Sequence, residues 1–150
     1  MKNENIDLLK LLFEEHHRQL AQKRQKIHST SEKTLALFAI MTGWLVLAKD
    51  PITSGVHWVI IGAAIIFAIA ASSSVYTNNQ SYYTIARVVC KINKALGIFE
   101  KDTFPRNELI YPTTWENFGK QGEFKGAFFH IMAISVGAVL CIVAAFLRVE

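Results

Sequence analysis

Residues 56–75 read VHWVIIGAAIIFAIAASSSV, twenty consecutive positions without Asp, Glu, Lys or Arg. About 20 helical residues span the roughly 30 Å hydrocarbon core of a bilayer, so the stretch has the length and composition of a transmembrane helix. No stop signal follows it. From Gln80 onward Tyr82, Ile85, Val89, Ile92, Leu96 and Phe99 recur at steps of three and four, beside Arg87, Lys91 and Lys94. That spacing puts the apolar residues on one helix face. The reading is a span over 56–77 that leaves the membrane as a basic amphipathic helix over 80–99, either as one long helix or as two nearly collinear ones.

The neighbouring segments fit the same plan. Residues 34–48 (TLALFAIMTGWLVLA) form a first apolar segment, at about 22 Å short for a full crossing. It spans if Lys33 and Lys49 snorkel and Trp44 sits at the outer interface; an interfacial or re-entrant segment is the alternative. Between the two, KDPITSG (49–55) is a turn, with Pro51 and Gly55 as punctuation and Thr53 or Ser54 as helix cap. So short a connection forces an antiparallel hairpin. Residues 126–147 (GAFFHIMAISVGAVLCIVAAFL) carry no formal charge and make the third span. Before it, Pro105, Pro112, Gly119 and Gly122 rule out one continuous helix over 100–125. Phe104, Leu109, Ile110, Tyr111, Trp115 and Phe118 make that segment too apolar for a disordered linker, so an ordered cytoplasmic loop is expected, with a short helix after Thr113-Thr114.

At the N-terminal end, Ile6, Leu9, Phe13, His16, Leu20, Lys23 and Ile27 alternate steps of three and four over residues 5–28. This is a heptad-like seam with two polar interruptions. It packs on this protein's own cytoplasmic helix, lies on lipid headgroups, or joins subunits. Ser29-Thr30-Ser31-Glu32 then fits a capping box, which predicts a new helix or a bend there. The opening MKNENIDLLKLLFEEHHRQ has charges too closely spaced for a secretory signal.

Of 16 Lys and Arg residues, seven lie in 1–33 and seven in 78–126, with only Lys49 between the first two spans and Arg148 after the third. By the positive-inside rule the N-terminus is cytoplasmic and the C-terminus outside. A pI near 9 and a charge of +4 therefore reflect cytoplasmic flanks rather than nucleic-acid binding. The 51% hydrophobic content points the same way. The expected fold is all-α: a single integral membrane domain of three transmembrane helices, an amphipathic N-terminal cytoplasmic helix and a long second-span helix.

Within lipid, small residues let helix backbones approach closely. Ala133, Gly137, Cys141 and Ala145 recur every fourth position on the third span, and Ala64, Ala68 and Ser72 make a matching row on the second. These rows mark helix pairing within or between subunits, or else small residues facing lipid. His130 is the ionisable group inside a span: carbonyls or interfacial water satisfy it, or it lines a pore or senses pH together with Ser72, Ser73 and Thr42.

Enzyme chemistry has no support. Glu14-Glu15-His16-His17 lacks a second ligand pair at helical spacing, and no phosphate loop or nucleophile elbow is present. Arg24 to His28 reads as a solvated charged face. Cys90 and Cys141 sit in apolar helical contexts as packing residues. No cofactor, metal or catalytic residue is assigned.

In topology and charge layout, residues 5–99 resemble the SLATT family of small bacterial membrane effectors: a charged N-terminal helix, a hairpin of two spans and a basic helix behind it. The resemblance implies a pore-forming or membrane-perturbing effector, in nucleotide-signalling and other conflict systems including antiviral defence. The third span and the loop FPRNELIYPTTWENFG lie beyond the two-span pattern, and no family site residues carry over. The leading expectation is a homo-oligomeric inner-membrane effector with the bilayer as its partner. The alternative is a non-conducting anchor or scaffold that recruits a protein partner through its cytoplasmic helices.

Overall fold

The computed structural model describes residues 3–48, 52–97 and 125–148, with the side chains of residues 3–6 and 54 outside that description. The described residues form three helices: α1 (Asn3–Leu47), α2 (Ser54–Ala95) and α3 (Lys125–Phe146). The segment expected to form an ordered loop, with Trp115 and Phe118, and the expected turn residues Lys49, Asp50 and Pro51 lie outside the described residues, as do Phe99 and the side chain of Ile6 from the two seams.

Two expectations about helix ends are corrected. α1 does not break at Ser29-Thr30-Ser31-Glu32 but runs through it. The hydroxyls that would have capped a new helix bond backwards instead: Ser31 Oγ donates to Ile27 O at 3.1 Å, and Thr34 Oγ1 to Thr30 O at 2.8 Å. A hydroxyl satisfied on the preceding turn leaves the helix uninterrupted. α2 is likewise one helix through Asn78-Asn79, yet it ends at Ala95 rather than at 99. Gly97, with φ at 71°, adopts the left-handed conformation that ends helices, and its N–H donates to Lys94 O at 3.1 Å. At the other end of α2 the Thr53 carbonyl accepts the His57 N–H at 3.1 Å, which places Thr53 at the cap.

The chain divides into two compact units. One holds the first half of α1 and the C-terminal part of α2. Here Ala86, Val89 and Ile92 are buried, with Asn78 and Asn79. From the expected seams, Leu9, Phe13, Leu20, Tyr82, Ile85 and Leu96 are half-buried.

The other unit holds the second half of α1, the first part of α2, and α3. Its core repeats at steps of four and three. On α2 it runs through His57, Ile61, Ala64, Ala68, Ala71 and Val75, and on α3 through Ala127, Ile131, Ile134, Ala138, Cys141 and Ala145. On α1 it comprises Ile27, Ser31, Phe38 and Leu45. A seven-residue repeat is the signature of helices packed at shallow angles.

α2 and α3 are each long and apolar enough to cross a membrane, and only 22% and 28% of their most apolar windows are buried. The core helix of a soluble protein would hide most of that surface. α1 does not join them on this criterion, because Glu32 and Lys33 precede its apolar segment and shorten it.

Candidate functional site

Close packing is the chemistry of the apolar unit. Ala64 is buried, Ala68 and Ser72 are half-buried, and on α3 exposure falls from half-buried Ala133 and Gly137 to fully buried Cys141 and Ala145. Gly137 faces α1: a Cβ there would fall 3.0 Å from Phe38 Cδ2 and 3.3 Å from Leu35 Cδ2. The contact this glycine makes is thus within the chain, and with the first helix. One turn along, Thr42 of α1 lies against Cys141, so its hydroxyl is engaged in helix packing. Ser73 is exposed.

His130 also meets α1. Its ring stands edge-on to His28, with centroids 4.9 Å apart and planes at 84°. His28 sits on the helix turn just before Ser29, and the unbroken α1 carries it to α3.

At the opposite end of this unit, three polar contacts tie the helices together. His57 is 3% exposed, and its Nδ1–H donates to Ala145 O at 3.2 Å. Its ring packs edge-on against Phe146 at 4.7 Å and Trp58 at 5.3 Å. Arg148 donates to Val46 O from its guanidinium, and its own carbonyl accepts the Ile52 N–H at 3.0 Å. Sequence reasoning passed over His57 although it stands inside the quoted apolar run. The available signal was that an ionisable side chain inside a span nearly always faces a partner.

In the polar unit the interruption at Lys23 finds its partner: Lys23 Nζ donates to Asn78 Oδ1 at 3.3 Å. The other interruption, His16, donates through Nδ1 to Leu12 O at 2.6 Å. Around it Glu15 accepts from Gln19 at 2.9 Å and from Arg18 at 2.5 Å. The Gln19 hydrogen bond, reinforced by the Arg18 charge, holds the Glu15 carboxyl below its ordinary value. His17 stacks on Phe13 at 4.3 Å rather than pairing with a ligand-bearing neighbour. Among the described residues no group of three or more His, Cys, Asp or Glu side chains is placed to hold a metal.

Among the described residues two apolar surfaces are exposed. One is the apolar belt of the α1–α3 unit, with Ile40 at 70% exposure, Phe129 at 68% and Ile66 at 67%. The other is a leucine face at the start of α1, with Leu8 at 56% and Leu11 at 64%. No family model matches this chain, and neither does any curated protein or solved structure.

Proposed function

We propose that this chain is a three-span, self-associating protein of the bacterial inner membrane whose assembly opens or disturbs the bilayer. The observation that carries the proposal is the uncovered apolar belt, which extends onto α1. Ile40, Trp44, Val46 and Leu47 are 59–81% exposed, as much as the residues flanking them on α2 and α3. In water such a surface would drive aggregation, whereas in lipid it costs nothing. This supports α1 as a further span, shallow enough for Trp44 and Trp58 to occupy an interface. The charge asymmetry of the sequence puts the N-terminus in the cytoplasm and the C-terminus outside.

Three helices packed through Ala64, Ala138 and Ala145 leave no conduit among themselves, so a pore requires several copies. Ser73, exposed on α2, and His130, half-buried with Ser72, are the polar groups an assembly would draw on. The experiment is controlled overproduction with a potentiometric dye. An effector collapses the membrane potential and arrests growth. A chain that leaves both unchanged while co-purifying with one partner protein is a scaffold, and the effector reading is then wrong.

A further inference from the structure

Histidines from two helices meet at one end of the apolar unit. His28 of α1 and His130 of α3 stand with ring centroids 4.9 Å apart and planes at 84°. Ala127 and Ile134, about one turn to either side of His130, are buried, so His130 is on the packed face of α3. His28 is exposed and His130 half-buried, which leaves the pair open to protons from the surrounding water. Between neutral rings an edge-to-face arrangement is attractive. A first proton is tolerated too, because an imidazolium is drawn to the face of a neutral ring beside it.

The second proton meets few counter-charges among the described residues. On α1, Arg24 lies four residues before His28 and Glu32 four after, with Lys26 and Lys33 within five residues of it, all exposed. α3 adds the exposed Lys125. α2 carries no Asp, Glu, Lys or Arg from Val56 to Ala86, and the titratable side chain it brings to this end is Tyr76, also exposed. The Glu32 carboxylate is thus set against Arg24, Lys26, Lys33 and Lys125, and it can balance one imidazolium only. Two imidazolium charges at this separation repel one another more strongly in a protein than in bulk water.

We infer that the His28–His130 pair is a proton-operated latch: with no proton or one it holds α1 against α3, and with two it forces the helices apart at this end. The open form binds one proton more than the closed form below the ordinary histidine value of about 6.5, so the closed form weakens as the pH falls. Between about pH 7.5 and 5.5 the ratio of closed to open should fall about tenfold. In the orientation proposed above the pair lies on the cytoplasmic side, and acidification there is the cue. The inference goes beyond the effector reading and does not depend on it, since a scaffold with the same pair would open in the same way.

The test is a distance measurement on the full chain in vesicles of uncharged lipid, with spin labels on Ala36→Cys and Phe129→Cys in a Cys90→Ser, Cys141→Ala background. Both labelled positions are exposed, and dilution with unlabelled chain restricts the reading to distances within one copy. One separation is expected at about pH 7.5, with a longer one growing about tenfold relative to it by about pH 5.5. His28→Phe keeps a ring against His130 and takes up no proton, so its labels should hold the shorter separation at both pH values. His130→Phe should do the same from the other helix. A separation in the otherwise unchanged chain that does not respond to pH overturns the latch. An equal lengthening in both phenylalanine variants overturns it as well, because the acid response would then come from another group, such as the buried His57.

Discussion

Replacing Gly137 by alanine tests the packing of α3 against α1 more sharply than any larger change. A helical glycine replaced by alanine ordinarily gains about 0.5–1 kcal/mol, since the unfolded chain has less freedom to lose. Gly43 and Gly62 should show that gain, because a Cβ at either meets nothing within 4 Å. At Gly137 the new methyl falls 3.0 Å from Phe38 Cδ2 and 3.5 Å from Phe38 Cβ. The Cβ approach is ordinary contact, but the ring must give way, and Phe38 is 1% exposed, with Leu35 Cδ2 also within 3.3 Å of the new methyl. Overpacking of this kind costs about 1–3 kcal/mol, which outweighs the glycine gain and leaves Gly137→Ala destabilised by about 1–2 kcal/mol. Gly137→Leu should exceed that, and it should loosen the helices within a chain before it separates copies. Unfolding in mixed micelles by a rising mole fraction of dodecyl sulfate, followed through Trp44 and Trp58 fluorescence, resolves differences of this size. The midpoints should move in opposite directions for Gly62→Ala and Gly137→Ala. If both rise together, α3 does not approach α1 at Gly137 and the close contact is wrong.

Two further substitutions probe the polar contacts. At His57, phenylalanine keeps the ring faces against Phe146 and Trp58 and removes the donor to Ala145 O. That carbonyl still accepts the Arg148 N–H at 3.2 Å, so no acceptor is orphaned and His57→Phe should cost about 0.5–1.5 kcal/mol. His57→Ala also empties the ring's space and should cost about 3 kcal/mol in the same unfolding titration; equal losses for both would show that the rings contribute little. In the polar unit, Asn78→Leu leaves the half-buried Lys23 ammonium facing an apolar side chain and should destabilise by about 1–3 kcal/mol. Lys23→Met combined with Asn78→Leu should recover most of that loss, because an all-apolar pair has no unmet charge. A double variant no better than Asn78→Leu would mean that the two side chains do not act as a pair.

The sequence announced the helices and their faces more reliably than their ends or their partners. Runs such as 56–75 and 126–147 have nothing but a helix to form if they lie in lipid, and the three-four spacing of Tyr82, Ile85, Val89 and Ile92 reappears as graded burial. Ser29 to Glu32 misled because a capping box and a mid-helix hydroxyl pair use the same residue types; which carbonyl Ser31 bonds depends on whether neighbouring helices hold α1 straight. Gly97 was visible as a breaker, but the apolar spacing ran past it to Phe99 and prevailed in the reading. For the site the difficulty was pairing. Rows of small residues on α2 and α3 suggested that those two helices meet each other there, whereas Gly137 faces Phe38 of α1, a large residue that no row contains. A small residue advertises that something comes close without naming it.

Along α2 one pattern of burial runs through both compact units. The spacing of His57, Ile61, Ala64, Ala71 and Val75 continues to Asn78, Val89 and Ile92, with Asn79 and Ala86 buried one position beside it. If lipid surrounds the first part, as proposed, apolar burial gains nothing there, and Ala64 and Ala71 let close contact supply the attraction. If water surrounds the rest, apolar burial at Val89 and Ile92 is the driving force. Asn78 meets Lys23 through a hydrogen bond that holds in only one register of the two helix segments of the polar unit. Sliding α2 by one heptad would keep most apolar positions inward and lose this pair. Apolar seams alone permit such slips; the polar contact selects among them.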